Sequence, residues 1–168
     1  LSAYLVCDDF GDEWADYIAI DMDSNPPRLQ FIHCKHKKES SSASDLQEPI
    51  GQAVKNLSRM SYGSSEFGEK IDRKWSHDYL TTNIARIRRG KTPVELKQAF
   101  ANVLADPNTE RSVVLILSGI SLQHVTEQFT SLRVGNARPH VSQLLWILSW
   151  FVSACREHGV RPHIICQP

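Results

Sequence analysis

An α/β fold, with a mixed central sheet flanked by helices, is what this sequence predicts. Three observations carry that expectation. Short apolar strands open the chain, and two of them are joined through Asp21-Met22-Asp23-Ser24-Asn25-Pro26-Pro27, which is dense in turn residues. The continuous β-branched run from Ser112 to Leu117 reads as a buried parallel strand. Apolar residues at helical spacing occupy most of the segments between strands.

Each element follows from its residues. Ala3 to Cys7 is a short strand leading into the acidic turn Asp8 to Glu13. Strands near 15–21 and 28–35 form a hairpin; folded at residues 25–26, its partners sum to about 51 and Asp16 lies opposite Lys35. After the Ser-rich loop at 39–44, Glu48 to Leu57 reads as a helix with Ile50, Ala53, Val54 and Leu57 as its apolar stripe and Gln52, Lys55 and Arg59 opposite. Its start is ambiguous, because Ser44-x-x-Gln47 resembles a capping box while Pro49 prefers a first turn. Gly63 to Gly68 reads as a loop, and 69–88 and 93–105 as helices, the second opened by Thr92-Pro93. Ser121 to Leu132 carries Leu122, Val125, Phe129 and Leu132 on one helical stripe. The apolar segment 141–158 reads as a buried helix ended by Gly159, and His163 to Cys166 as the last strand.

Composition bounds the function classes. At 168 residues one domain, 1–168, is the expectation. Lys plus Arg and Asp plus Glu balance at 19 each, which argues against an unusually basic nucleic-acid binder but leaves room for a local patch. Arg59, Lys70, Arg73, Lys74, Arg86, Arg88, Arg89 and Lys91 are interspersed with Tyr62, Trp75 and Tyr79. Such a stretch suits phosphate contact and base stacking; a solvated helical face with core aromatics explains it equally well. The four cysteines lack the paired spacing of a zinc site, and Cys7, Cys34 and Cys166 fall in strand-like runs as expected buried thiols. No signal peptide and no apolar run of about 18 residues is present, so the expectation is a cytoplasmic protein with no membrane partner. The chain starts at Leu1 and almost in a strand, which reads as a piece of a longer protein.

The chemistry-bearing residues gather around the hairpin. Asp16 opens one apolar strand, and Leu29-Gln30-Phe31-Ile32 runs into His33-Cys34-Lys35. Phosphodiester hydrolysis needs a divalent metal to hold the phosphate and lower the pKa of a water. Mg2+ or Mn2+ prefers oxygen ligands, which Asp16, the Cys34 carbonyl and Glu13 can offer. His33 can ligate through a neutral nitrogen, and Lys35 can orient or deprotonate the water or hold the phosphate as a point charge.

Asp16 followed by a second strand ending His33-x-Lys35 resembles the PD-(D/E)xK, or restriction-endonuclease-like, nucleases. The run from Cys7 to Ile20, then Phe31 to Lys35, then Gly51-Gln52-Ala53, is similar to nuclease domains attached to bacterial helicase-like and phage-defence proteins. The resemblance covers residues 5–57. Two departures matter: His33 stands where the family has Asp or Glu, and Ala15 rather than Pro precedes Asp16. The resemblance implies a nuclease acting on DNA rather than RNA, with Asp16, His33, Lys35 and Gln52 as catalytic residues. Gln52 would orient the water or bind phosphate. Lys37, Lys38, Lys55 and Arg59 would contact the nucleic-acid backbone. The remainder of a longer chain and a second copy in a homodimer are its expected partners. The rival expectations are a degenerate nuclease fold that binds nucleic acid without cutting it, an interaction module of a larger defence complex, and an unrelated α/β enzyme.

Overall fold

The computed structural model describes residues 3–37, 43–90 and 92–168, and the expected backbone contact Lys38 lies outside them. The protein is α/β, with a mixed six-stranded sheet flanked by helices. The strands are β1 Tyr4–Cys7, β2 Tyr17–Asp21, β3 Arg28–Lys35, β4 Ile87–Arg89, β5 Glu110–Ser121 and β6 Arg161–Gln167, ordered β4-β1-β2-β3-β5-β6. The chain divides into two compact units, Leu1–Ile32 with Asn56–Ser112 and His33–Lys55 with Val113–Pro168.

In the first unit β1 pairs antiparallel with both β2 and β4. The hairpin β2–β3 pairs Tyr17 with Ile32, Ile18 with Phe31 and onward to Asp21 with Arg28. Those partners sum to 49, so the expected register, on which the Asp16–Lys35 pairing rested, is two residues off. The cause is the turn: Asp21 Oδ1 accepts the N–H groups of Asp23 and Ser24 at 3.2 Å, and Ser24 Oγ donates to the Asp21 and Pro26 carbonyls. Asx-type closure on Asp21 centres the hairpin one residue earlier than Asn25-Pro26.

The expected loop at 63–68 and helix at 69–88 are both corrected. Helix α2 covers Ser64–Lys70 and a π-helical turn covers Ile71–Trp75, followed by irregular chain and the short strand β4. The helical period ends where Trp75 enters the core. Helix α3, Pro93–Ala105, matches the expected bounds because Thr92 and Glu95 form a reciprocal capping box with Pro93 in the first turn. Leu96, Ala99, Phe100 and Val103 are its buried face. Phe67 stacks on Phe100 with centroids 4.4 Å apart, and Trp14 packs edge-on to Phe67 and Trp75 at 5.1 and 5.8 Å. This aromatic cluster is the core of the unit.

In the second unit α1 covers Ala43–Lys55, starting before the expected Glu48. Leu46, Pro49, Ile50 and Ala53 are its buried stripe, at helical spacing, with Pro49 inside the helix. α4 covers Leu122–Arg133 and α5 covers Pro139–Glu157. The α4 stripe is not a core face, since no residue of that helix is fully buried. α5 is not buried all round either. It buries Val141, Leu144, Phe151 and Cys155 and exposes Leu145, Trp146 and Trp150. It ends at Gly159, φ +67°, where Val160 N–H donates to the Cys155 carbonyl and Gly159 N–H to Arg156, a Schellman arrangement. Cys34 is exposed and Cys166 half-buried, because alternation along a strand puts neighbouring residues on opposite faces. Among the described residues no helix is long and apolar enough to cross a membrane.

Candidate metal centre

The acidic turn between β1 and β2 is where the first unit concentrates charge. Phe10 and Gly11 both adopt left-handed backbone, at φ +74° and +82°. For Phe10, whose side chain is exposed, that conformation costs energy and must be held by its surroundings. The surroundings are cationic. Lys74 Nζ donates to the carbonyls of Asp8 at 2.6 Å and Phe10 at 2.7 Å. Arg86 donates to the carbonyls of Cys7 at 3.2 Å and Asp9 at 2.9 Å, and Lys70 Nζ donates to the Asp12 carbonyl.

Asp8 anchors the turn from below. It is fully buried. Its Oδ2 accepts Trp14 N–H at 2.8 Å, while Oδ1 accepts the Trp75 indole N–H at 2.7 Å and lies 2.9 Å from Lys74 and 3.3 Å from Lys70. Lys70 is 1% exposed and lies 4.6 Å from the Trp14 ring centroid. Burial pulls its ammonium below the ordinary lysine range, and Asp8 opposes that pull. Lys70, Trp75 and Arg86 therefore do not form an outward basic-aromatic patch. They brace the acidic turn. The legible signal was charge balance: Asp8, Asp9 and Asp12 need cations, and Lys70 and Lys74 recur four apart on one helical side.

Above the brace, Asp9, Glu13 and Asp16 converge. One oxygen from each lies within 4.8 Å of the others, and they are the one such group of His, Cys, Asp or Glu among the described residues. All three are half-buried. Tyr79 donates its hydroxyl to Asp9 Oδ2 at 2.7 Å, and Phe10 N–H donates to Glu13 Oε2 at 3.3 Å. Burial, and next the Asp16 carboxylate, push the Glu13 carboxyl above its ordinary range. Three hard oxygen donors this close together fit a divalent cation, whose charge would relieve their mutual repulsion. Glu13 and Asp16 were expected ligands; Asp9 was missed, although its spacing of four residues from Glu13 brackets the glycine turn.

The other expected residues belong to the second unit, apart from Arg59. His33 and Lys35 alternate onto the same side of β3. His33 is 1% exposed, and neither ring nitrogen has a hydrogen-bond partner among the described residues. Burial, reinforced by the Lys55 charge, pushes the imidazole down to about 4. Lys35 Nζ lies 2.8 Å from Glu48, and Lys37 Nζ lies 2.7 Å from Asp45. Gln52 and Lys55 are exposed on α1. Arg59, in the first unit, turns back over Trp14 and Tyr62 at 5.5 and 5.6 Å and reaches Asp12 at 3.6 Å. It packs on the protein as well as offering charge to a ligand.

His33 also sets a pH dependence. Its folded value lies below the unfolded one of about 6.5, so the unfolded chain binds the extra proton between those values. In EDTA, stability should be full above pH 6.5 and fall by up to about 3 kcal/mol as pH drops to 4 and below. His33→Phe should flatten that limb in urea titrations across this range. An unchanged limb would show that His33 is already charged in the folded state.

No known protein family matches the chain, and neither a curated protein nor a solved structure matches it.

Proposed function

We propose that the chain is a metal-dependent nuclease domain of the restriction-endonuclease-like superfamily, hydrolysing phosphodiester bonds of DNA in the cytoplasm as part of a larger defence or helicase-linked protein. The convergence of Asp9, Glu13 and Asp16 carries this reading. When bound there, Mg2+ or Mn2+ supplies Lewis acidity to the scissile phosphate and lowers the pKa of a water. The chain's own groups do the rest. Tyr79 and the Phe10 N–H hold carboxylate oxygens of Asp9 and Glu13 in place. By the resemblance in the order of residues, Lys35 supplies the cation for charge developing on the phosphate, and Gln52 orients the nucleophile. By the same resemblance His33 stands in place of the family's acid, and burial keeps its imidazole neutral.

A second reading has its own support. The same His33 is shut from solvent and unpartnered among the described residues, which favours a degenerate nuclease fold that binds nucleic acid without cutting it. The deciding experiment incubates the protein with single- and double-stranded DNA and RNA in Mg2+, Mn2+ or EDTA. The nuclease reading expects cleavage of DNA that EDTA abolishes. Intact substrate in both metals, with binding retained, hands the case to the degenerate reading.

A further inference from the structure

We propose that the groove formed by α1 and α5 in the second unit is a stacking site for the bases of single-stranded nucleic acid, with Trp146 and Trp150 as its platform. The four tryptophans divide into two classes. Trp14 and Trp75 are 3% and 0% exposed, whereas Trp146 and Trp150 are 76% and 42% exposed. Trp146 and Trp150 lie four residues apart on α5, so both indoles are on one side of it. They line an open groove of about 380 Å³, with Ile147 as apolar wall and Ser44, Gln47 and Gln143 as polar ones. Flat indoles beside amides and a hydroxyl suit a planar heteroaromatic ring with polar edges better than an aliphatic side chain.

Charge points to the same partner. Residues 128–156 contain no acid and carry Arg133, Arg138, His140 and Arg156. His140 lies three residues before Gln143, one turn toward the helix start. The first turns of α5 thus combine a histidine, a preceding arginine and the positive end of the helix dipole. On α1 the two acids flanking Gln47 are already countered: Asp45 by Lys37 at 2.7 Å and Glu48 by Lys35 at 2.8 Å. Glu157, seven residues beyond Trp150, is the one acid at the far end of α5. A polyanion laid on this face runs toward Arg138, with its bases on the indoles. Duplex bases are already stacked on one another, so the occupant is single-stranded.

The inference rests on the nuclease reading for the class of partner, nucleic acid, and is tested without cleavage. The whole chain in EDTA is titrated with oligo(dT), with a duplex of the same length and with anionic phospholipid vesicles, following intrinsic fluorescence and the anisotropy of a labelled oligonucleotide. Trp14 and Trp75 are enclosed, so quenching reports the α5 pair. Oligo(dT) should quench, and the duplex should quench far less. Trp146→Ala should weaken binding about 5- to 150-fold, Trp146→Phe should recover most of the loss, and Arg138→Ala should lower the salt slope by about one. Circular dichroism checks folding. Equal oligonucleotide affinity in wild type and Trp146→Ala overturns the proposal. So does an emission change driven by vesicles or by protein concentration alone. Cleavage by a Trp146→Ala protein with wild-type affinity would leave the nuclease reading standing, and binding by an inert wild type would do the reverse.

Discussion

Asp16→Ala is expected to lower metal-dependent cleavage by at least about 10²-fold, because the loss of an outer partner of a metal ligand alone costs 10–100-fold and here an anionic oxygen donor itself is removed. Asp9→Ala and Glu13→Gln should act in the same direction, since each takes one oxygen from the same convergence. Tyr79→Phe should cost less, as it frees Asp9 Oδ2 without removing it. Lys35→Ala should cost about 10²–10³-fold, the range for deleting one group that meets developing charge. It also releases Glu48, so Lys35→Met with Glu48→Gln separates the ion pair from the chemistry. Gln52→Ala should cost less than Lys35→Ala, because a neutral amide orients more than it stabilises charge. If the nuclease reading holds, His33→Glu supplies the acid usual at that place in the restriction-endonuclease-like nucleases and should shift activity toward Mg2+ and away from Mn2+. Wild-type rates in Asp16→Ala and Lys35→Ala, with folding intact, would place the chemistry elsewhere.

Asp8→Ala should be the most damaging single change to the fold, at about 3–5 kcal/mol, because it removes the buried counter-charge of the Lys70 ammonium and leaves it only the exposed Asp12 carboxylate. The carboxylate also accepts the Trp14 and Trp75 N–H groups, so both donors are stranded in the aromatic core. Asp12→Ala is the control. Its carboxylate pairs with Lys70 and Arg73 but is 46% exposed, and exposed pairs contribute about 0–1 kcal/mol. Urea unfolding midpoints measure both. Asp8→Ala together with Lys70→Met should recover much of the loss, since a buried pair replaced by apolar groups is often neutral. A cost below about 1 kcal/mol for Asp8→Ala would contradict the account of the brace. Because the same brace holds the backbone that presents Asp9 and Glu13, destabilising it should also weaken metal binding.

Five of the six strands and four of the helices were legible because their signals are local. Thr92-Pro93 with Glu95 marks the start of α3, Gly159 marks the end of α5, and β-branched runs mark β5. Turn residues located the β2–β3 hairpin but put its register two residues off, because the Asp21 closure depends on hydrogen bonds that composition does not specify. Segment 64–89 was misread for a different reason. Lys70 and Arg86 look like solvent-face charges, yet they are buried against the acidic turn by partners about sixty to eighty residues away. No periodicity encodes such a pairing. β4 has three residues and no alternation to read. In α5 the apolar content was clear, but hydrophobicity alone cannot tell Phe151, which is buried, from Trp146, which is not. Of the site, Asp16 and Glu13 were legible as acids near a strand start. Asp9 was hidden among capping acids until the left-handed turn at Phe10-Gly11 brought it around.

The most direct test of the central claim is a calorimetric titration of Mn2+ into the wild-type chain and into Asp16→Asn at neutral pH. The account predicts one binding event per chain in wild type, at the convergence of Asp9, Glu13 and Asp16. It predicts loss of that event in Asp16→Asn while the fold is retained. Equal binding by the two proteins, or no binding by a folded wild type, would contradict it.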